Sequence, residues 1–290
     1  MTETGIPIPG TVSPHASPAA RGPGAARIIV FGNEKGGSGK STAAMHTVVG
    51  LLRAGQTVGS IDVDPRQATL TRYLENRAIL METRGLELPM PSHRLVARST
   101  QGPEEDSERF MQALDSLSRT CDAVVIDTPG SDAPLSRLAH SYADTLVTPM
   151  NDSFVDLDLL GKVDPETLKI ICPSAYAEMV WEQRKVRMKR DGRSMDWVVV
   201  RNRLSATETR NKRNMERVLA TLAKRIGFRT APGFGDRVIF REMFLTGLTL
   251  LDLREGGAKL TMSHIAARQE VRDLLAALSI GTTPAAVANG

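Results

Sequence analysis

Residues 32–42 carry the side chains best suited to chemistry, because they combine glycines with two lysines and three hydroxyls. They read Gly-Asn-Glu-Lys-Gly-Gly-Ser-Gly-Lys-Ser-Thr and end in the GK[ST] signature of a phosphate-binding loop. Glycines let the backbone bend so that successive N–H groups point at phosphate oxygens. Lys40 would reach the β- and γ-phosphates of ATP, and the Ser41 hydroxyl would bind Mg²⁺. The predicted nucleotide-binding residues of the loop are Gly36, Gly37, Ser38, Gly39, Lys40, Ser41 and Thr42.

The segments on either side of the loop support this interpretation. The apolar run at residues 28–31 predicts a buried strand before the loop, and residues 43–52 predict a helix after it. A strand, a glycine-rich loop and a helix form the context that phosphate binding requires, and the positive end of the helix attracts anions. The simpler alternative is a glycine-rich turn with a surface lysine, which does not account for the flanking strand and helix.

Acidic residues follow two further predicted strands. A predicted helix at residues 107–118 leads to residues 123–127, where four apolar residues end in Asp127, the Walker B pattern of an aspartate that holds a Mg²⁺-bound water. The Asp-Thr-Pro-Gly turn at residues 127–130 would be the switch that senses the γ-phosphate. Residues 56–65 predict a short strand that ends in two carboxylates, Asp62 and Asp64, and ligands bind at the carboxyl ends of strands in an open α/β sheet. The alternative is that one of these carboxylates only caps a turn before Pro65. From these patterns, the predicted metal-binding residues are Ser41 and Asp127.

The order of the segments predicts one α/β domain over residues 27–280, a doubly wound, mostly parallel sheet flanked by helices as in P-loop NTPases. Residues 1–26 are rich in Pro, Gly, Ala, Ser and Thr and predict a disordered tail, and residues 281–290 predict a flexible one. Cys121 and Cys172 have no motif spacing, which argues against disulfides and iron–sulfur ligation. Without a run of about 18 apolar residues or a secretory N-terminus, a cytoplasmic protein is expected.

Lys35 is a second lysine inside the loop and gives the sequence Lys-Gly-Gly-x-Gly-Lys-Ser-Thr. This resembles the deviant Walker motif of the ParA/MinD family of P-loop ATPases. The resemblance implies that Lys35 reaches across a dimer interface to the partner's nucleotide, that Asp64 positions or activates the attacking water, and that Asp62 is its companion near Mg²⁺. It also implies that Asn202, just past a predicted strand, contacts the adenine; a simple turn asparagine is the alternative. The implied catalytic residues are Lys35, Lys40 and Asp64.

Other stretches resemble one branch of that family, the ATPases that control division-site placement in certain bacteria. The family's usual Asp-Pro-Gln-Gly-Asn is Asp-Pro-Arg-Gln-Ala at residues 64–68, which suggests a subfamily. Asn33-Glu34 and the sequence Thr-Pro-Met-Asn-Asp-Ser-Phe-Val-Asp at residues 148–156 carry the resemblance to the branch. It implies a slow ATPase that forms an ATP-dependent homodimer, binds double-stranded DNA non-specifically, inhibits assembly of the division GTPase FtsZ and interacts with the partition protein ParB. A nucleoid-associated gradient in the cytoplasm follows from these partners.

Positive charge is concentrated in residues 182–229, which contain fifteen Lys/Arg and five Asp/Glu, a net of +10 in a chain whose total is +4. Such a concentration is typical of a surface that binds polyanions. Residues 207–226 predict a helix with an apolar stripe on one side and basic residues within about 60° of each other on the other. A solvated helix face is the alternative. The predicted DNA-binding residues are Arg203, Arg210, Arg213, Arg217 and Lys224.

Two further hypotheses compete with the division regulator. A ParA-type partition ATPase would share the loop, the dimer and the DNA surface but would move a DNA cargo. A metabolic P-loop enzyme would act on a small molecule, but such an enzyme has no need of a second lysine that acts in trans. A terminal helix is predicted at residues 263–279, with an apolar side formed by Ile265, Val271, Leu274, Leu275 and Leu278. Because the helix has no basic polar face, packing of this side on the domain is expected and no membrane partner is predicted.

Overall fold

The computed structural model describes residues 26–100, 102–164, 166–205, 210–255 and 261–280. Its strands are β1 (Arg27–Phe31), β2 (Val58–Asp62), β3 (Ser92–Leu95), β4 (Ala123–Asp127), β5 (Thr145–Asn151), β6 (Gly161–Val163), β7 (Ile170–Pro173), β8 (Asp196–Asn202) and β9 (Arg229–Ala231). Seven of them form one parallel sheet in the order β3-β2-β4-β1-β5-β8-β9, and β6 and β7 form a separate antiparallel pair. The predicted tails, apart from Ala26, lie outside the described residues.

Helices cover both faces of the sheet. Their bounds are α1 (Lys40–Arg53), α2 (Thr69–Arg84), α3 (Pro103–Thr120), α4 (Pro134–Tyr142), α5 (Phe154–Leu157), α6 (Ala175–Asp191), α7 (Arg210–Ile226), α8 (Ile239–Thr246) and α9 (Met262–Ala277). One apolar core joins the sheet to α1, α2, α8 and α9, and a second joins it to α3, α4, α6 and α7. This confirms the predicted doubly wound α/β fold.

Strand register brings the acidic residues and the phosphate loop to one edge of the sheet. The strands β2 and β4 are buried throughout and β1 is buried from Ile29 onward, as expected for parallel strands with helices on both faces. Asp127 at the end of β4 pairs with Phe31 on one side and with Asp62 on the other. The loop that follows Phe31 therefore begins level with both carboxylates.

A network of ion pairs connects α1 and α2 through the buried Asp252, which lies in the segment after α8. Arg77 on α2 and Asp252 are both fully buried, with Nη1–Oδ2 and Nη2–Oδ1 distances of 2.7 and 3.0 Å. Arg53, at the end of α1, places its Nη2 2.7 Å from Asp252 Oδ1. Charged groups are buried at low cost only when they are paired and hydrogen-bonded, so this network fixes α1 and α2 relative to each other.

Three segments differ from the sequence-based expectation. The helix α3 begins at Pro103 rather than near residue 107, because a proline in the first turn and three following acids stabilise a helix N-terminus. The sequence patterns do not predict the β6–β7 pair. On α9, Val271 and Leu274 are buried as predicted, but Ile265 is exposed, so the prediction that it joins the packed face is wrong. Among the described residues, no helix is long and apolar enough to cross a membrane.

Candidate nucleotide-binding site

The phosphate loop lies between β1 and α1, as the sequence predicts. Gly37 and Gly39 have φ angles of 72° and 93°, a backbone region that favours glycine. A Cβ on Gly39 would lie 2.5 Å from the Asn202 side-chain nitrogen, so that residue also has no room for a side chain. The loop departs from Gx4GK[ST] at its first position, where Glu34 replaces the glycine. Glu34 is not among the described residues with positive φ, so the backbone there accepts a side chain.

Asp127 has the surroundings of a metal-binding carboxylate. It is buried, its Oδ1 atom has no hydrogen-bond partner among the described residues, and its side chain is hydrogen-bonded to Ser41. Burial and the nearby charge of Asp62 raise the pKa of Asp127 to about 8. Mg²⁺ prefers oxygen ligands and is usually held by one or two carboxylates. The carboxylate and the hydroxyl therefore fit the predicted cation.

Lys40 is directed along the phosphate loop itself. Its Nζ atom donates to the backbone oxygen of Lys35 at 3.0 Å, so the side chain spans the loop. Burial lowers the pKa of Lys40, while the carboxylates of Asp127 and Asp64 act in the opposite direction. A buried cation at the centre of the loop, facing two acids, is the arrangement expected of a phosphate-binding lysine.

Asp62 organises the loop that carries Asp64. Its Oδ1 accepts the Asp64 N–H at 3.0 Å, and its Oδ2 accepts both the N–H and the hydroxyl of Thr71 at 3.0 Å. Asp64 is half-buried and receives the Gln67 N–H on its own Oδ1 at 3.2 Å. Both carboxylates thus lie at the predicted edge of the sheet. Their roles toward water and Mg²⁺ stay predictions, as does every other residue role in the site.

Lys35 points away from its own nucleotide loop. Its Nζ atom lies 2.8 Å from Asp156 Oδ1 and 2.8 Å from the Val155 backbone oxygen. The Lys35 side chain is 38% exposed, so the pair lies at the surface. Asp156 is held in place because its Oδ2 accepts the Asn151 N–H at 2.9 Å. The second lysine of the loop is therefore available at the surface and is paired within its own chain.

The Asp-Thr-Pro-Gly turn after β4 contacts the phosphate loop directly. Thr128 donates its hydroxyl to the backbone oxygen of Phe31 at 2.9 Å. A Cβ on Gly130 would lie 2.8 Å from the Gly36 nitrogen and 3.0 Å from the Lys35 carbonyl carbon, so a side chain at position 130 would collide with the loop backbone. The turn is thus in direct contact with the phosphate loop, and its predicted role as a switch stays a prediction.

The sequence patterns do not predict the buried polar network under the start of the loop. The Tyr176 hydroxyl on α6 donates to the Gly32 backbone oxygen at 2.9 Å and lies 2.9 Å from Thr148 Oγ1, which accepts the Trp197 indole N–H at 3.0 Å. Asn33, also buried, donates to the Pro149 backbone oxygen and accepts the Lys35 N–H at 2.6 Å. These hydrogen bonds give a structural role to Asn33 and to the buried polar groups beneath the loop, none of which the phosphate-loop pattern requires.

Asn202 is positioned by the loop. Its Nδ2 atom donates to the Ser38 backbone oxygen at 2.9 Å, and its Oδ1 accepts the Arg203 N–H at 2.9 Å. Both halves of the amide are therefore engaged within the chain. The predicted contact with adenine stays a prediction.

The predicted basic helix corresponds to α7, and its core-facing stripe is confirmed. Met215, Val218, Leu219 and Leu222 are buried, and Ile226 is partly buried. Among the predicted DNA-binding residues, Arg203, Arg213, Arg217 and Lys224 are exposed. The side chain of Arg210, at the first position of α7, lies outside the described residues. Arg213, Arg217 and Lys224 are thus on the side of α7 away from the core, and Arg203 follows the end of β8.

Part of the charge in residues 182–229 has a structural role, which the charge count alone does not reveal. Arg187 is 2% exposed and places its Nη2 2.6 Å from Asp144 Oδ1. Arg229 pairs with Asp196 at 2.7 Å. The guanidinium of Arg190 lies 3.7 Å from the centre of the Tyr142 ring. Fewer positive charges are therefore left for the predicted contact with a polyanion than a net charge of +10 suggests.

Known proteins share both the sequence pattern and the fold. The profile of the family described as ATPase MipZ matches residues 27–282. The chromosome partitioning protein ParA of Myxococcus xanthus (strain DK1622) is 27% identical in an alignment of length 159 that covers 47% of this chain and 56% of that protein. The match thus spans about half of that relative.

Two solved structures show the same fold. The ATP complex of a single-residue variant of Cyanothece McdA superimposes with a TM-score of 0.62 at 17% identity, covering 90% of this chain and 99% of that one. The septum site-determining protein MinD of Pyrococcus horikoshii OT3, complexed with Mg-ADP, gives a TM-score of 0.55 at 15% identity and covers 89% of this chain and 100% of that one.

The family match covers nearly all of the described residues and includes the phosphate loop, both acidic strand ends and α7. It confirms the membership that the second lysine of the loop predicts. The chain belongs to the MipZ family of ATPases, within the ParA/MinD class of P-loop proteins.

Proposed function

We propose that the protein is an ATP-dependent dimerising switch that controls where a bacterial cell divides. The observation that carries the proposal is the position of Lys35. Its ammonium group is at the surface, beside the phosphate loop but directed away from it. A lysine so placed suits a partner's nucleotide better than its own, which is the use that the ParA/MinD resemblance implies.

In the proposed reaction, water attacks the γ-phosphorus of ATP and the bond to the bridging oxygen of ADP breaks, which gives ADP and inorganic phosphate. The loop N–H groups and Lys40 stabilise the charge on the phosphate oxygens. Asp64 orients the attacking water and is itself oriented by Asp62. Asp127 and Ser41 would hold Mg²⁺, which supplies positive charge between the β- and γ-phosphates. Hydrolysis is slow and serves as the reset of the switch.

In the ATP-bound state, two chains close face to face with each Lys35 near the partner's phosphates. Because each Lys35 then binds phosphates of the nucleotide held by the partner, dimer formation and nucleotide binding are coupled. The ion pair between Lys35 and Asp156 must break for this to happen. The turn at Gly130 touches the loop backbone and is suited to sense the γ-phosphate. The resting monomer is the state in which Lys35 remains on Asp156.

The dimer binds double-stranded DNA without sequence preference. The exposed basic residues of α7 support this, because a row of cations along a helix neutralises phosphates without reading bases. Through the family resemblance we extend the proposal to its partners. The ATP dimer inhibits FtsZ assembly away from midcell, ParB concentrates the protein near the chromosomal origin, and the result is a nucleoid-associated gradient in the cytoplasm.

A ParA-type partition ATPase is the second candidate, and the match to the Myxococcus protein favours it. An FtsZ polymerisation assay separates the two functions. Full-length protein with ATP is expected to reduce FtsZ sedimentation, and the Lys35→Ala variant with ATP is expected to have no effect. Unchanged FtsZ assembly with the wild-type dimer would favour the partition function.

A further inference from the structure

A chain of hydrogen-bonded side chains connects the edge of the sheet to the loop of Asp64. Ser60 on β2 places its Oγ 2.8 Å from Nδ1 of His93 on β3, and Nε2 of the same ring lies 2.9 Å from Thr71 Oγ1 on α2. Thr71 Oγ1 in turn lies 3.0 Å from Asp62 Oδ2. Ser60 and His93 are paired in the β2–β3 register, so the sheet itself fixes the first contact. Neither the phosphate loop nor the Walker B pattern includes His93.

The donors and acceptors of this chain allow one arrangement around the ring. Each oxygen of the Asp62 carboxylate already accepts a backbone N–H, so the carboxylate acts as the acceptor here and the Thr71 hydroxyl proton points at it. Thr71 Oγ1 must then accept from His93, which places the ring proton on Nε2. His93 Nδ1 is left without a proton and accepts from the Ser60 hydroxyl. All four polar groups are thereby satisfied, and every bond is directed toward Asp62.

Asp62 holds both ends of the segment that contains Asp64. One oxygen accepts the Asp64 N–H and the other accepts the Thr71 N–H, which is an otherwise unpaired amide in the first turn of α2. The residue before that helix, Ala68, provides no side-chain cap. The carboxylate therefore caps α2 from the neighbouring strand and fixes the entry to the Asp64 turn at the same time.

We propose that His93 is a positioning residue for ATP hydrolysis: through Thr71 it fixes Asp62, and through Asp62 it sets where Asp64 stands. This rests on the proposed function for the role of Asp64. His93 touches neither nucleotide nor water in this scheme. Because catalysis is sensitive to small displacements of the orienting group, a loosened Asp64 lowers the rate of hydrolysis while nucleotide binding at the phosphate loop is retained.

A matched pair of substitutions at position 93 tests the contact with Thr71. The amide nitrogen of His93→Gln reaches the position of Nε2 and can still donate to Thr71, whereas the shorter His93→Asn reaches only the position of Nδ1. We expect kcat to fall about tenfold in His93→Asn with KM within about twofold of the wild type, and to stay within about threefold in His93→Gln. An equal kcat in His93→Asn and the wild type, or an equal loss in both variants, would overturn the proposal.

A second pair of substitutions, at position 71, controls for loss of the folded structure. Thr71→Ser keeps the hydroxyl and Thr71→Val removes it at nearly constant volume. The proposal expects the valine variant to lose kcat as His93→Asn does, and the serine variant to retain it, with circular dichroism spectra unchanged in both. Loss of activity in the serine variant as well would assign the effect to packing and would overturn the proposal that His93 acts through Thr71.

Two measurements on the nucleotide-free full-length protein are independent of ATPase activity. The ring ¹⁵N shifts of His93 at pH 7 are expected to show the Nε2–H tautomer, and hydrogen exchange over residues 63–71 is expected to be faster in His93→Asn than in the wild type. The Nδ1–H tautomer, or hydrogen exchange over residues 63–71 that is unchanged in His93→Asn, would refute the proposal. If the wild type fails to hydrolyse ATP but both results hold, the proposed function is wrong and the positioning chain remains.

Discussion

The ammonium group of Lys35 and the carboxylate of Asp156 form a 2.8 Å ion pair within one chain. The acid is only 10% exposed and the lysine is 38% exposed, so the pair is partly protected from solvent. If Lys35 acts across a dimer, this bond opposes dimer formation. The strength of this ion pair therefore affects the dimer dissociation constant of the proposed switch.

Replacing Asp156 with Asn tests the effect of the ion pair on dimer formation. The Asn side chain still accepts the Asn151 N–H but no longer attracts Lys35 electrostatically. A partly exposed ion pair contributes about 1 kcal/mol, and two such pairs break per dimer, so we expect the dimer dissociation constant in ATP to fall by roughly an order of magnitude. Analytical ultracentrifugation measures it. Asp158→Asn, an exposed acid two residues away, removes the same charge and serves as the control; an equal shift in both variants would contradict the prediction.

The Asp64→Ala variant is expected to bind ATP normally and to accumulate as a dimer, because the closed state no longer resets. Size-exclusion chromatography with ATP, with and without DNA, detects it. The hydrogen bond from Asp64 to Asp62 uses the backbone N–H and survives the substitution. A variant that remains monomeric at saturating ATP would argue against the switch.

The double variant Arg217→Ala with Lys224→Ala is expected to weaken DNA binding for all sequences alike. These exposed residues are seven positions apart on α7 and so share a face. Each lost phosphate contact lowers the slope of log K against log[salt] by about 0.9, so the slope should fall by about 2. Arg84→Ala at the end of α2, in the opposite helix layer, is the control. Unchanged binding in the double variant would place the DNA surface elsewhere.

Folding stability is expected to decline as the pH falls below about 6.5, and His46 provides a specific test. Its ring accepts the Leu250 N–H and lies 2.8 Å from the Thr42 backbone oxygen, with Asp252 and Arg77 nearby. Burial lowers the pKa of His46 from 6.5 to about 4. Between these values the unfolded chain binds the extra proton, so stability is lost on acidification.

In His46→Asn this contribution is absent. The free energy of unfolding, measured with urea at pH 6 and pH 5, should therefore fall by about 1.2 kcal/mol more in the wild type than in the variant. The variant itself is expected to be less stable at pH 7. If the free energy of unfolding fell equally with pH in the wild type and in His46→Asn, the low pKa of His46 in the folded protein would be contradicted.

The sequence predicted the parts of the fold that follow from local patterns. Apolar runs ending in Asp62 and Asp127 identified the central strands, and the glycines around Lys40 identified the loop. Contacts between distant segments were not predictable in this way. Tyr176 supports Gly32 across 144 positions of the chain, and His93 reaches Asp62 only because β3 pairs with β2. A pattern of residue types along the chain carries no information about such register or about which polar side chain fills a buried gap.

The structural arginines near α7 affect how a mutational scan of this region must be interpreted. Under the proposed DNA binding, alanine at the buried Arg187 would reduce DNA retention in cells through a less stable fold, since its guanidinium pairs with Asp144. Alanine at Arg217 would reduce DNA retention with a normal melting temperature. Abundance of each variant, measured alongside its DNA binding, therefore separates residues that would contact DNA from residues that keep the protein folded.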